Sequence, residues 1–213
     1  NFLDINITNP LTPISSMKIL IACEESQTVC KAFRAKGHEA YSCDILPPSG
    51  GRPEWHIQDD VLKHLNEGWD MMIAHPPCTY LSNAGARFLY QGGEGVLNLE
   101  RFKEGKTAAK FFLKLLNAPI EKISVENPIP STIFRLPRYT QIIQPYQFGH
   151  PVQKKTCLWL KNLPPLTPTK MMEKPQSTKV AGNWFNKGGK ERQMNRAKTF
   201  QGIADAMAEQ WNF

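Results

Sequence analysis

A cysteine that follows two prolines is the residue best placed for covalent chemistry. The segment Asp70–Ser82 reads DMMIAHPPCTYLS, in which an apolar run leads directly into Pro76, Pro77 and Cys78. Proline fixes φ and removes a backbone N–H, so the chain entering Cys78 is stiff. A rigid turn at a strand tip suits a nucleophilic thiol, whereas an isolated cysteine more often fills a gap in a core. The two prolines favour the nucleophile, because they place Cys78 outside regular structure.

A carboxylate beside an amide ends another apolar run. The segment Lys122–Pro128 reads KISVENP, with Glu126 and Asn127 near its end. A buried glutamate with a raised pKa can donate a proton to a ring nitrogen, and the amide can hold the edge of a planar heterocycle. A glutamate at a strand end before an Asn-Pro turn also has an ordinary structural explanation. Taken alone, this segment favours the structural explanation.

Apolar runs alternate with helical patterns, which predicts an α/β fold: a single Rossmann-like domain with a mostly parallel sheet. We predict strands at Met17–Cys23, Glu39–Ile45, Trp55–Gln58, Trp69–Ala74, Lys122–Glu126 and Thr156–Leu160. Helices are predicted from Ser26, as the N-cap, to Gly37, from Asp60 to about Leu65, and at Leu97–Leu116 and Thr199–Trp211. The small, aromatic and glycine-rich stretch Ser82–Gly95 is predicted to be a mobile loop.

The chemically unusual side chains fall at the C-terminal ends of the predicted strands. These residues are Glu24, Glu25, Asp44, Asp60, Cys78 and Glu126. Ligands of parallel α/β sheets bind outside the carboxyl ends of the strands. This coincidence indicates an enzyme rather than a structural protein.

Length and composition indicate one ordinary globular domain. The chain has 213 residues, of which 41% are hydrophobic and 21% charged, and no apolar run approaches the ~20 residues of a membrane span. The five cysteines are odd in number and include no CxxC pair, so we expect no disulfide framework, no metal and a reducing cytoplasm. We expect residues 1–16 to be a disordered leader or vector-derived segment, and the domain to cover residues 17–213.

Basic residues concentrate in the C-terminal part of the chain. The net charge is +7, and residues 154–198 contain eleven lysines and arginines but only two acidic residues. Such a patch suits a phosphate backbone, and equally a solvated basic face. The candidate DNA-binding residues are Lys155, Lys179, Lys187, Lys190 and Arg192, with Trp184 and Phe185 among them for stacking.

The order Pro-Pro-Cys, helix, strand, Glu-Asn-Pro resembles the DNA cytosine-5 methyltransferase family. The resemblance runs from Met17 to Trp211 and includes Gln147–Pro151, which leads into Lys154, and Gln201–Ala208. It implies transfer of a methyl group from S-adenosylmethionine to C5 of a cytosine flipped out of DNA. The chain is similar to small, phage-type members of this family, because residues 162–195 leave room for only a very short recognition insertion. The location that this similarity implies is the cytoplasm of a phage-infected bacterial cell.

The resemblance assigns roles to individual residues. It implies that Cys78 attacks C6 of cytosine, that Glu126 protonates N3 with support from Asn127, and that Lys154 stands where the family has arginine. Asp44 would bind the ribose of the cofactor and Asp60 would meet the adenine. The full set of implied cofactor contacts is Cys23, Glu24, Glu25, Asp44, Ile45, Asp60, Pro76 and Ala204.

The chain departs from the family pattern in three segments. Residues 22–27 lack the glycines of the family's first loop, Thr79 replaces the usual glutamine, and Lys154-x-Thr156 replaces an arginine pair. Glu24 or Glu25 could bind the amino end of the cofactor or form an acidic first helical turn. A free cytosine nucleotide as substrate, and a non-catalytic protein that binds nucleic acid or nucleotide, are the alternatives.

Overall fold

The computed structural model describes residues 15–91, 95–174 and 198–213. The strands are β1 (Lys18–Ala22), β2 (Glu39–Asp44), β3 (His56–Gln58), β4 (Met71–Ala74), β5 (Tyr90–Gln91), β6 (Val96–Leu97), β7 (Lys122–Pro128), β8 (Gln141–Ile143) and β9 (Thr156–Lys161). The helices are α1 (Thr28–Ala35), α2 (Asn83–Ala86), α3 (Leu99–Leu116) and α4 (Gln201–Gln210). The predicted α/β, Rossmann-like class is confirmed.

One seven-stranded sheet organises the domain, in the order β3-β2-β1-β4-β7-β9-β8. The first five strands of this order are parallel, and β9 runs antiparallel to both of its neighbours. From β1 the chain moves outward through β2 to β3, and it returns to the other side of β1 at β4. The sheet therefore has its topological switch point between β1 and β4, where α/β sheets place their ligand crevice.

Alternation along the strands divides the buried residues between two layers. On one face, Ile19, Ile21 and Ile73 pack with apolar residues of α1 and α4. On the other face, Leu20, Met72 and Val125 pack with Ala109, Phe112 and Leu115 of α3. The sheet is thus covered on both sides, which explains the continuous apolar runs of its parallel strands.

Helix α1 begins differently from the sequence prediction. Ser26 is not its cap; the N-cap position is Gln27, whose φ is +59° and whose side chain makes no capping hydrogen bond. The carboxylate of Glu24 instead accepts hydrogen bonds from the backbone N–H of Val29, at 2.7 Å, and of Cys30, at 3.2 Å. A side-chain acceptor from the preceding loop therefore satisfies donors that the first turn leaves unpaired.

Helix α2 and strands β5, β6 and β8 were not foreseen in the sequence. The stretch expected to be a mobile loop contains α2 and β5, and β5 pairs antiparallel with β6, which follows that stretch. Strand β8 is only three residues long, and its pairing with β9 supplies the regularity that its sequence does not announce. Strand β8 depends on a partner that is distant in sequence, and β5 and β6 are two-residue strands that depend on each other. Local periodicity reveals neither pairing.

Helix α4 is docked through a close backbone contact. The Gly202 N–H donates to Nε2 of His150 at 2.9 Å, and a Cβ at Gly202 would lie 1.9 Å from the carbonyl oxygen of Phe148. Glycine is therefore required at this position by the approach of two backbones. Burial lowers the pKa of His150, with Asp205 opposing the effect, so the neutral ring is the acceptor.

We expect the contribution of His150 to stability to fall in acid. Above about pH 6.5 the ring is neutral both folded and unfolded; below it, the unfolded chain takes up a proton before the folded one does, because the folded pKa is depressed. Replacing His150 by glutamine keeps an acceptor that does not titrate. The free energy of unfolding of the wild type, minus that of His150→Gln, should decrease between pH 7.5 and 5.5 in urea titrations. A difference that is constant with pH would contradict this account.

Candidate active site at the strand ends

A histidine and a glutamate meet where β4 and β7 end. The parallel register pairs Ala74 with Val125, and continuing it by one residue sets His75 beside Glu126 on the same face of the sheet. His75 also prolongs the β1–β4 pairing, because its N–H donates to the carbonyl of Ala22 at 2.9 Å. The Nδ1 of His75 lies 3.2 Å from Oε1 of Glu126, and the two side chains are 6% and 19% exposed.

Attraction between opposite charges contributes more to the contact between His75 and Glu126 than hydrogen bonding does. The Nδ1–Oε1 distance allows a hydrogen bond, which acts together with the charges on the pKa values of both groups although its alignment is poor, whereas Nε2 has no hydrogen-bond partner among the described residues. Burial alone would lower the pKa of His75, but the carboxylates of Glu126 and Glu24 outweigh it and raise the pKa. Burial would raise the pKa of Glu126, but His75 and Lys154 lower it. Both shifts favour the ion-paired form, in which an imidazolium faces a carboxylate.

Glu24 brings a second carboxylate to this pair. It is 4% exposed, and burial raises its pKa, against the opposing influence of His75 and of the backbone donors Val29 and Cys30. The same side chain therefore caps α1 and acts on the charge of His75. Of the two functions that the sequence left open for Glu24, the structure shows the one at the start of the helix.

The turn that carries Cys78 is fixed from below by α3. The Nη2 of Arg101 donates to the carbonyl oxygens of Thr79, at 3.3 Å, and of Gly85, at 3.1 Å. A Cβ at Gly85 would lie 2.0 Å from the Thr79 oxygen, so the two backbones touch. The N–H of Ser82 donates to the carbonyl of Cys78 at 3.2 Å. Half-buried Cys78 thus sits on a braced backbone rather than in a loose loop.

The other four cysteines are poor candidates for a nucleophile. Burial raises the pKa of Cys30 and of Cys43 to about 12, and that of Cys157 to about 11. Burial also raises the pKa of Cys23, together with Asp44, Cys43 and Asp60. Because the thiolate is the reactive form, these four side chains are held as thiols at neutral pH.

The residues implied to bind a cofactor surround the ends of β1 and β2. Cys23 has a left-handed backbone, with φ of +58°. One buried carboxylate oxygen of Glu25, Oε2, has no hydrogen-bond partner among the described residues. Asp44 is half-buried and uses Oδ1 to accept from the Leu46 N–H at 2.9 Å; burial raises its pKa, and Glu25 adds to this effect. The neighbouring Ile45 side chain is 73% exposed.

The carboxylates of Asp60 and Glu25 differ in their hydrogen bonds. The Oδ1 of Asp60 accepts from the Leu62 N–H at 3.0 Å and so caps the short helix Val61–Lys63. Glu25 retains its unpaired oxygen and is the carboxylate better suited to a cationic group. The roles of both residues toward a cofactor remain predictions.

The remaining predicted site residues occupy varied surroundings. Asn127 is buried on the α3 side of β7, away from Glu126, and its Nδ2 donates to the carbonyl of Pro128 at 2.7 Å. Pro76 and Ala204 are buried, while Lys154 is half-buried and acts electrostatically on both His75 and Glu126. Lys155 is exposed. The other basic candidates, Lys179, Lys187, Lys190 and Arg192, lie outside the described residues.

Sequence reasoning did not single out His75 or Arg101 as parts of the site. His75 stands at the end of an apolar strand directly before the Pro-Pro-Cys turn, and that position was the available indication. Arg101 could not be found from its own surroundings, because it lies in the first turns of an amphipathic helix whose polar face carries many charges. Only the packing of α3 beneath residues 79–88 reveals its contacts.

Neither a metal site nor a membrane-spanning helix occurs in the described ranges. No group of three or more histidine, cysteine, aspartate or glutamate side chains there is arranged to hold a metal ion. No helix there combines the length and the apolar character needed to cross a membrane.

We expect the carboxylate of Glu24 to matter more for stability than an ordinary surface glutamate. The amide of Glu24→Gln can satisfy one backbone donor but not both, and it places an amino group beside the helix start. The free energy of unfolding in urea should fall by about 2 kcal/mol. Glu39→Gln makes the same chemical change at an exposed strand position and should change it by less than about 0.5 kcal/mol. Equal effects of the two variants would refute the capping role.

Comparison with known proteins leaves the family open. No family model and no curated protein matches the chain. Among solved structures, a protein described as a DNA modification methyltransferase encoded within an E. coli prophage is 14% identical, with a TM-score of 0.43. The match covers 74% of this chain and 52% of that protein, so the chain spans about half of its length. A likeness of this degree assigns no function, which has to be inferred from the side chains of the site.

Proposed function

We propose that the chain transfers a methyl group from S-adenosylmethionine to C5 of cytosine in DNA. The observation that carries this proposal is the placement of the Pro-Pro-Cys turn directly after β4, next to β7 with its partly buried Glu126. A thiol on a braced turn and an acid in a neighbouring strand end are the two groups that covalent activation of a pyrimidine ring requires. Both lie at the ends of the adjacent parallel strands β4 and β7, and β4 borders the switch point of the sheet.

The proposed reaction uses Cys78 and Glu126 on one ring. Cys78 loses its proton to water, and its sulfur forms a bond to C6 of the cytosine while N3 takes a proton from the Glu126 side. The ring then carries electron density at C5, where a carbon–carbon bond to the methyl group would form as the bond between that methyl group and the sulfonium sulfur breaks, leaving S-adenosylhomocysteine. Loss of the C5 proton to solvent and cleavage of the sulfur–C6 bond release Cys78 as a thiolate, which regains a proton from water, while the N3 proton returns to the Glu126 side and the ring becomes aromatic again. Lys154 adds a positive charge near Glu126, where the family's arginine would stand.

The residues at the ends of β1 and β2 fit the proposed cofactor. S-adenosylmethionine supplies an electrophilic methyl group and carries a cationic amino end. The unpaired Oε2 of Glu25 is a buried acceptor suited to such a cation, and exposed Ile45 offers an apolar surface to a flat base beside Asp44. The left-handed backbone at Cys23 provides the bend for which the family uses glycine. These features support the fit although the loop contains no glycine.

DNA as the substrate is supported by charge and by exposed aromatic side chains. Phe88 is 52% and Tyr90 is 50% exposed, in the segment that follows the nucleophile turn. The guanidinium of Arg87 lies 4.6 Å from the Phe88 ring centre. Aromatic faces next to arginine are suited to stacking on unpaired bases, and the net charge of +7 favours a polyanion.

The decisive experiment is trapping of the covalent intermediate. A pool of randomised duplexes containing 5-fluorocytosine, incubated with S-adenosylmethionine, should yield a protein–DNA adduct because fluorine cannot leave C5 as a proton does. Peptide mapping should locate the adduct at Cys78, and Cys78→Ser should abolish it while keeping the wild-type melting temperature. Free 5-fluorodeoxycytidine monophosphate, run in parallel, tests the nucleotide alternative. The absence of an adduct with either substrate would contradict the proposed chemistry.

We expect Glu25→Gln to weaken binding of S-adenosylmethionine by about tenfold or more, since a hydrogen bond to a charged group contributes about 1.5–3 kcal/mol. Isothermal titration with the wild type, Glu25→Gln and the exposed control Glu39→Gln measures the effect. The control should bind as the wild type does. Equal affinities of all three proteins would remove Glu25 from the cofactor site.

A further inference from the structure

We propose that His75 stores the proton that Glu126 delivers to the cytosine ring, so that a buried imidazole–carboxyl pair, rather than the glutamate alone, is the acid of the site. The inference rests on the proposed function and deepens it, because it assigns the source of one proton. His75 acts through Glu126 and is therefore a positioning residue. It is carried by the 3.2 Å contact between the buried side chain of His75 and the partly buried side chain of Glu126, at the ends of neighbouring strands.

The geometry leaves His75 committed to this pair. Its Nδ1 faces Oε1 of Glu126, its side chain is 6% exposed, and its backbone N–H is used in the pairing with β1. Its Nε2 is buried and has no hydrogen-bond partner within the described ranges. A buried polar group without a partner is uncommon and costs about 1–3 kcal/mol. Such a group is rarely kept for packing alone.

Charges from three elements act on His75. Glu126 faces it from β7, Glu24 from the loop between β1 and α1, and Lys154 from the segment before β9. The two carboxylates favour the imidazolium, while the ammonium opposes it; the balance raises the pKa of His75 and lowers that of Glu126. Both shifts favour the arrangement in which the proton of the pair is on the imidazole.

This distribution of charge decides where the proton comes from. A buried glutamate alone would have a raised pKa and could give N3 its own proton. Beside the imidazolium, Glu126 is a carboxylate and has no proton to give. As the sulfur of Cys78 adds to C6, the N–H bond at Nδ1 of His75 breaks, Glu126 carries the proton, and an N–H bond forms at N3. When the sulfur leaves, the proton returns by the same route, so His75 ends as it began.

The first test is made on the protein without DNA. Nitrogen NMR of the histidine side chains should show both ring nitrogens of His75 protonated at pH 7.5. In Glu126→Gln the loss of the facing carboxylate should lower the pKa of His75, so that the ring is neutral at the same pH. A neutral His75 in the wild type at pH 7.5 would overturn the inference, whatever the catalytic result.

The second test is the pH profile of adduct formation with 5-fluorocytosine DNA. The alkaline limb of the wild-type rate should coincide with the titration of His75, because the pair then loses its proton. His75→Gln should lack this limb and form the adduct about tenfold or more slowly at pH 7.5. The control His64→Gln removes a histidine that also contacts two carboxylates, those of Glu67 and Asp59, outside the site; it should keep the wild-type profile.

The two proposals fail in distinguishable ways. An unchanged alkaline limb in folded His75→Gln, with an active wild type, would overturn proton storage and leave the methyltransferase proposal intact. A wild type that forms no adduct under any condition would overturn the methyltransferase proposal and, with it, the use of the stored proton. Circular dichroism and melting temperatures of all variants show which of them are folded, and Glu126→Gln supplies a second perturbation of the pair should His75→Gln be unstable.

Discussion

The register between β4 and β7 is the constraint on which the rest of the site depends. A slip of one residue would turn His75 and Glu126 toward opposite faces of the sheet. Transferring each of these charges from water into the protein costs several kcal/mol. Their mutual attraction and additional hydrogen bonds must offset this cost. The pair is tolerable only because both strands present it at the same depth, with a second carboxylate and an ammonium acting on it. Placement of the Pro-Pro-Cys turn follows from the same strand end.

Much of the sheet could be predicted because its parallel strands are short apolar runs that end at polar residues. The same property placed Cys78 and Glu126 at strand tips. Contact between His75 and Glu126 could not be predicted, because it depends on which strands are neighbours and on their register. The capping role of Glu24 was hidden for a similar reason: Ser26 has the residue type of a cap, but the chain bends before reaching it.

The glycine-free first loop illustrates how tertiary contacts replace a residue preference. Cys23 and Gln27 both adopt left-handed φ values, near +58° and +59°, which are unfavourable for side-chain-bearing residues by about 1–2 kcal/mol. Gln27 is held there by hydrogen bonds between its amide and the backbone N–H and C=O of Arg52. The loop therefore has the bends of a glycine-rich turn, with side chains that a glycine-rich turn would lack.

Glu24 joins two properties that are usually separate. Its carboxylate accepts from the first turn of α1 and also acts on His75. The local opening of α1 and the acidity of the site are consequently linked through one side chain. Substitutions that destabilise the start of this helix would therefore change the protonation of His75 without contacting that residue. During evolution, changes at Glu24 and His75 are therefore expected to show epistasis, with the effect of either depending on the residue present at the other position.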